Sequence, residues 1–114
     1  MIKIVHNPRC SKSRQAYNLL VEKGYEVEEI LYMKNPLTKE ELKDIITKLG
    51  IKPFDLIRTK EAEFKDNYKD KELSDDQWVD AMVKFPRLIE RPIVIKDNKA
   101  IIGRPTEKIL EIIS

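Results

Sequence analysis

The opening of this chain constrains its fold most: two apolar runs, Ile2–Val5 and Tyr25–Tyr32, flank a segment with helical patterning. Ile2, Ile4 and Val5 are β-branched and read as a strand, which His6-Asn7-Pro8 breaks. From Ser11 onward Ala16, Leu19, Leu20 and Lys23 recur at helical spacing, and Gly24 supplies a stop. Two strands joined through a helix in this way form a right-handed crossover and lie parallel in one sheet. The first strand, apolar along most of its length, is expected inside the sheet.

The middle of the chain reads as helical. Thr38 with Glu41, and Ser74 with Gln77, are capping boxes, each satisfying two backbone N–H groups at a helix start. The first opens a helix over Lys39–Leu49 that Gly50 ends, and the second opens one running through Phe85 to Pro86. Lys52-Pro53-Phe54 suggests a short helical turn with proline at its start. Glu61 to Lys71 is polar apart from Phe64 and Tyr68 and is expected to be a weak helix or an ordered loop. Ile93-Val94-Ile95 and Ala100-Ile101-Ile102 around Asp97-Asn98 predict a hairpin. A final helix should start at Pro105-Thr106-Glu107 and turn Ile109, Leu110, Ile112 and Ile113 inward. The order β-α-β, helices, β-β-α is a mixed α/β layout, that of a thioredoxin-like fold with a four-stranded mixed sheet. One domain over residues 1–114 is expected, with a helical insert over about residues 36–86.

Bulk properties narrow the function. The charged residues, 37% of the chain, nearly cancel to a net charge of +2, and lysines alternate with glutamates along the helices. That is a solvated surface rather than the dense basic face of a nucleic-acid binder. No run approaches the roughly 20 apolar residues that a membrane helix needs. A single cysteine allows no internal disulfide, and with no secretory signal at the N-terminus it points to a reducing cytoplasm. One histidine and one cysteine give no basis for a metal site, and no bound cofactor is expected.

Cys10 carries the chemistry. It follows a strand and sits at the mouth of a helix, where unpaired N–H groups and the helix dipole favour negative charge on sulfur. His6, Arg9, Lys12 and Arg14 crowd the same segment. A lone cysteine is often just a small buried hydrophobe, but N-P-R-C-S-K-S-R offers it no apolar neighbours. Ser13, in a C-x-x-S arrangement, could donate a hydrogen bond to the sulfur or to a bound anion. His6 reads equally as a strand-end residue that orients the loop. Arg58, Arg91 and Arg104 stand beside breaks in the apolar pattern, the last two each before a proline. For Pro92, the residues alone favour a trans bond.

H-N-P-R-C-S-K-S-R, R-T-K-E from Arg58, E-R-P-I-V-I and I-G-R-P-T-E, in this order and spacing, resemble the glutaredoxin-coupled arsenate reductases over essentially the whole chain. The resemblance implies a thioredoxin-like fold and arsenate, or a related oxyanion, as substrate. It implies Cys10 as nucleophile with His6, Ser13 and Arg14 completing the catalytic set, Arg58, Arg91 and Arg104 binding the oxyanion, and a cis peptide at Pro92. Glutathione is implied as co-substrate and glutaredoxin as partner, with the protein acting as a monomer. Arg9 and Lys12 depart from the small residues that other members often carry. The alternatives are another glutathione-linked thiol oxidoreductase of the same family and a regulator that binds RNA polymerase. The redox-sensing form of that regulator needs a C-x-x-C pair, which Ser13 denies.

Overall fold

The computed structural model describes residues 2–113 and divides into two compact units, Met1–Asn35 with Arg91–Ser114, and Pro36–Glu90. The first is a mixed α/β unit of the thioredoxin-like kind. Its strands β1 (Ile2–Val5), β2 (Val27–Ile30), β3 (Ile93–Lys96) and β4 (Lys99–Ile102) form one sheet in the order β2-β1-β3-β4. β1 runs parallel to β2, reached through α1 (Ser11–Glu22), and antiparallel to β3, with Ile4 opposite Val94. It is therefore an interior strand. Ile2, Ile4 and Val94 share one face and pack on Ala16 and Leu20 of α1 and on Ile109 and Ile113 near the C-terminus. Burial of each such isoleucine, leucine or valine contributes about 1.5–3 kcal/mol, so this layer fixes where α1 begins relative to the sheet.

The second apolar run forms strand only over Val27–Ile30, because the β1 it pairs with is four residues long. β3 and β4 make the predicted hairpin, and Asp97 in its turn adopts φ 56°, a conformation aspartate tolerates better than most residues. The C-terminal segment departs from expectation. It starts as a 3-10 turn, Thr106–Ile109, and becomes α5 only over Leu110–Ile113. The tighter winding leaves Leu110 39% exposed while Ile109 and Ile113 are buried.

The second unit holds α2 (Lys39–Leu49), α3 (Ala62–Asn67) and α4 (Asp75–Lys84), with 3-10 turns at Pro53–Leu56 and Pro86–Leu88. Both capping boxes form: Thr38 Oγ1 accepts from the Glu41 N–H at 3.1 Å and Ser74 Oγ from the Gln77 N–H at 3.2 Å. Gly50 ends α2 at φ 69°, a left-handed conformation that costs glycine nothing. The polar stretch after Glu61 becomes α3 because Phe64 and Tyr68 pack against Trp78, with Phe54 and Phe85 completing an aromatic cluster. Lys39 and Lys43 both reach Asp76, and their hydrogen bonds lower its carboxyl pKa to about 2. Among the described residues no helix is long and apolar enough to cross a membrane.

Candidate active site

The loop between β1 and α1 is built by its own short polar residues. Asn7 holds both sides of the turn: its carbonyl accepts from the Cys10 N–H at 2.9 Å and its Oδ1 from the Arg9 N–H at 3.1 Å. Arg14 reaches back from the first turn of α1 to donate to the Pro8 carbonyl at 2.9 Å. Cys10 is thereby set as the N-cap of α1, with extended backbone and no side-chain capping bond. Its carbonyl accepts the Arg14 N–H, the first helical bond. The N–H groups of Ser11, Lys12 and Ser13 have no acceptor within the helix, and their partial positive charge is directed toward the cap.

Ser13 does not serve the sulfur. It is fully buried, and its Oγ accepts the Asn7 N–H at 3.0 Å and lies 2.6 Å from His6 Nδ1. The sequence expectation of a donor aimed at sulfur or an anion is thus replaced by a bond that closes the loop from within. The reason is the helix: its first turn rotates position 13 toward the strand end, where His6 sits. His6 is 4% exposed, and this burial lowers its pKa below the ordinary 6.5, with Arg14 acting in the same direction and Glu29 opposing. The Ser13 hydroxyl thus joins the Asn7 backbone to the His6 ring through one oxygen. The ring stacks on Tyr17 at 5.5 Å, and Tyr17 is hydrogen-bonded to Glu29, which raises the phenol pKa. His6, Ser13 and Arg14 thus brace the loop that carries Cys10.

Two arginine-proline loops are bonded to each other, and one of them reaches the sulfur. The Arg91–Pro92 and Arg104–Pro105 bonds are both cis. Gly103 N–H donates to the Pro92 carbonyl at 2.9 Å, and Arg104 Nε donates to the Arg91 carbonyl at 2.8 Å. Arg104 Nη2 then lies 3.4 Å from Cys10 Sγ, within hydrogen-bonding reach of the half-buried thiol. The third arginine expected at the oxyanion, Arg58, lies in the second unit. It is placed by a bridge between Ile57 and Ile89, ion-paired with Glu61, and 3.7 Å from Glu90.

Two further residues, Gly103 and Tyr17, shape this site. A Cβ on Gly103 would lie 3.1 Å from Pro92 Cγ and 3.2 Å from Ile109, so glycine lets the two loops close. Its place in I-G-R-P was the available signal. Tyr17 covers one face of the His6 ring, and nothing in its spacing marks that contact.

Residues 5–112 match the ArsC family. The chain is 47% identical over 114 residues to the uncharacterized protein YfgD of Escherichia coli, covering 98% of this chain and 96% of that one. It is 44% identical over 110 residues to an arsenate reductase of Neisseria meningitidis, covering 95% and 94%. A solved arsenate reductase from Vibrio cholerae superposes with a TM-score of 0.94 at 42% identity, covering 98% of this chain and 97% of that one.

Proposed function

This chain belongs to the ArsC family, and from that membership we propose that it is an arsenate reductase that works through Cys10 and an outside thiol. The observation that carries the reading is Arg104 Nη2 at 3.4 Å from Cys10 Sγ, at an uncapped helix N-terminus. A guanidinium there can hold an arsenate oxygen and offset the charge that builds as sulfur attacks arsenic. Arg91 and Arg58 join it as oxyanion ligands through the family resemblance.

In the first step the Cys10 thiolate attacks arsenic. A sulfur–arsenic bond forms, and one oxygen leaves as water after taking up protons. An outside thiolate then attacks Cys10 Sγ. A sulfur–sulfur bond forms, the sulfur–arsenic bond breaks, and its electron pair stays on arsenic as arsenite. Two thiols are oxidised to one disulfide while arsenic(V) becomes arsenic(III). The single cysteine makes the outside thiol obligatory; glutathione fills that role, and glutaredoxin reduces the mixed disulfide. The protein does this as a monomer in a reducing cytoplasm.

The test is arsenate-dependent NADPH oxidation with glutathione, glutaredoxin and glutathione reductase. Wild type is expected to turn over, and Cys10→Ser to fall to background while remaining folded. Turnover by that variant at the wild-type rate would overturn the role of Cys10.

A further inference from the structure

The reaction needs an outside thiol, and that thiol must be selected at Cys10. The charges around Cys10 bear on it. No Asp or Glu precedes Glu22, whereas Arg9, Lys12 and Arg14 fall within six residues. Helix N-termini favour acidic first turns, as in α2 with Glu40 and Glu41 and in α4 with Asp75 and Asp76. The first turn of α1 contains no acid and carries Lys12 against the helix dipole. A local rule broken at a reactive centre marks function rather than stability.

The three cations are not equivalent. Arg14 is occupied in holding the Pro8 carbonyl. Arg9 and Lys12 are exposed, and among the described residues neither side chain has an ion-pair or hydrogen-bond partner. The Arg9 backbone is fixed by Asn7, so this exposed arginine is carried on a hydrogen-bonded turn directly before Cys10. Neither side chain takes part in the hydrogen bonds that build the loop.

We propose that Arg9 and Lys12 determine thiol specificity: they recruit a small thiol bearing carboxylates to attack at Cys10 Sγ. The proposal rests on Cys10 being the nucleophile, but not on arsenate being the substrate. Two exposed cations flanking the target sulfur match a thiol with two carboxylates, such as glutathione, and raise its local concentration by electrostatic steering.

The test separates the two readings by leaving arsenate out. Cys10 is converted to its mixed disulfide with 2-thiopyridine, and attack by an added thiolate is followed by release of pyridine-2-thione. In that step the bond from Cys10 Sγ to the pyridyl sulfur breaks, a new bond from Cys10 Sγ to the incoming sulfur forms, and the electron pair leaves on the pyridinethiolate. Rate constants are compared for glutathione and for neutral 2-mercaptoethanol, in wild type and in Arg9→Gln/Lys12→Gln. The double variant is expected to lose about threefold to tenfold with glutathione at low salt and to stay within about twofold with 2-mercaptoethanol. Added salt should slow the wild-type glutathione reaction and close the gap.

Equal losses with both thiols would overturn the proposal, because the cations would then act on the sulfur itself. No loss with either would overturn it too, as would a loss confined to reduction by glutaredoxin, which would make this a protein-docking surface. Failure of Cys10 to take up the pyridyl group would overturn this proposal and the nucleophile together. Absence of arsenate turnover beside an intact thiol preference would remove only the arsenate reading.

Discussion

The start of α1 and the starts of α2 and α4 solve the same problem in opposite ways. At Thr38 and Ser74 a side-chain oxygen and a returning Glu41 or Gln77 close the helix end, and acids follow in the first turn. At Cys10 no side chain caps the helix, no acid follows, and the N–H groups remain available beside a thiol. The first arrangement satisfies the backbone with local chemistry and stabilises the helix. The second leaves the same positive end for a sulfur and an incoming anion, so stability must come from elsewhere. It comes from Asn7, Ser13 and His6 behind the loop.

That contrast can be broken most sharply at Arg104. Arg104→Lys keeps the charge but loses the planar fork that spans the Arg91 carbonyl and the sulfur. Steady-state kinetics should show kcat/KM for arsenate falling about 10- to 100-fold, the range expected for a lost charged hydrogen bond, with the urea midpoint unchanged. Kinetics matching wild type would reduce Arg104 to a surface charge. Ser13→Ala removes the internal brace, leaving the Asn7 N–H and His6 Nδ1 buried without it. Urea denaturation should record a loss of about 1–3 kcal/mol. Unchanged stability would mean that the open helix end needs no brace.

Thr38→Ala should cost about 1 kcal/mol of unfolding free energy, the usual worth of an N-cap, and leave arsenate kinetics untouched. A change in kcat would erase the division between a stabilising cap and a reactive one. The smallest effect concerns pH. The unfolded chain takes up a proton on histidine near pH 6.5, while buried His6 resists until the pH is lower. The unfolded state therefore holds more protons in that window, and stability should fall as pH drops below 6.5. In His6→Asn that part of the slope should vanish; an unchanged slope would assign it to other groups.

Much of the fold is legible in the residues because its signals are local. The capping boxes at Thr38 and Ser74, the stop at Gly50 and the Asp97-Asn98 turn each act within a few positions, where spacing and chemistry suffice. The aromatic anchor that makes α3 a helix was harder to see, since Phe64 and Tyr68 matter only once Trp78 lies against them. Leu110 departs from the inward position that periodicity predicts, because periodicity assumes α-helical winding and the segment begins tighter.

By itself the sequence determined that a thiol would sit between strand and helix, that its neighbours would be basic, and that a single cysteine could not complete a redox cycle alone. Only the tertiary structure decided what each neighbour does. Ser13 turned inward to His6 because the first helical turn aims it at the strand end, across seven positions of chain. Arg104 came to the sulfur across 94 positions because Gly103 lets its loop close on Pro92. Such contacts depend on sheet register and on packing between segments far apart in the chain, and spacing along the chain encodes neither.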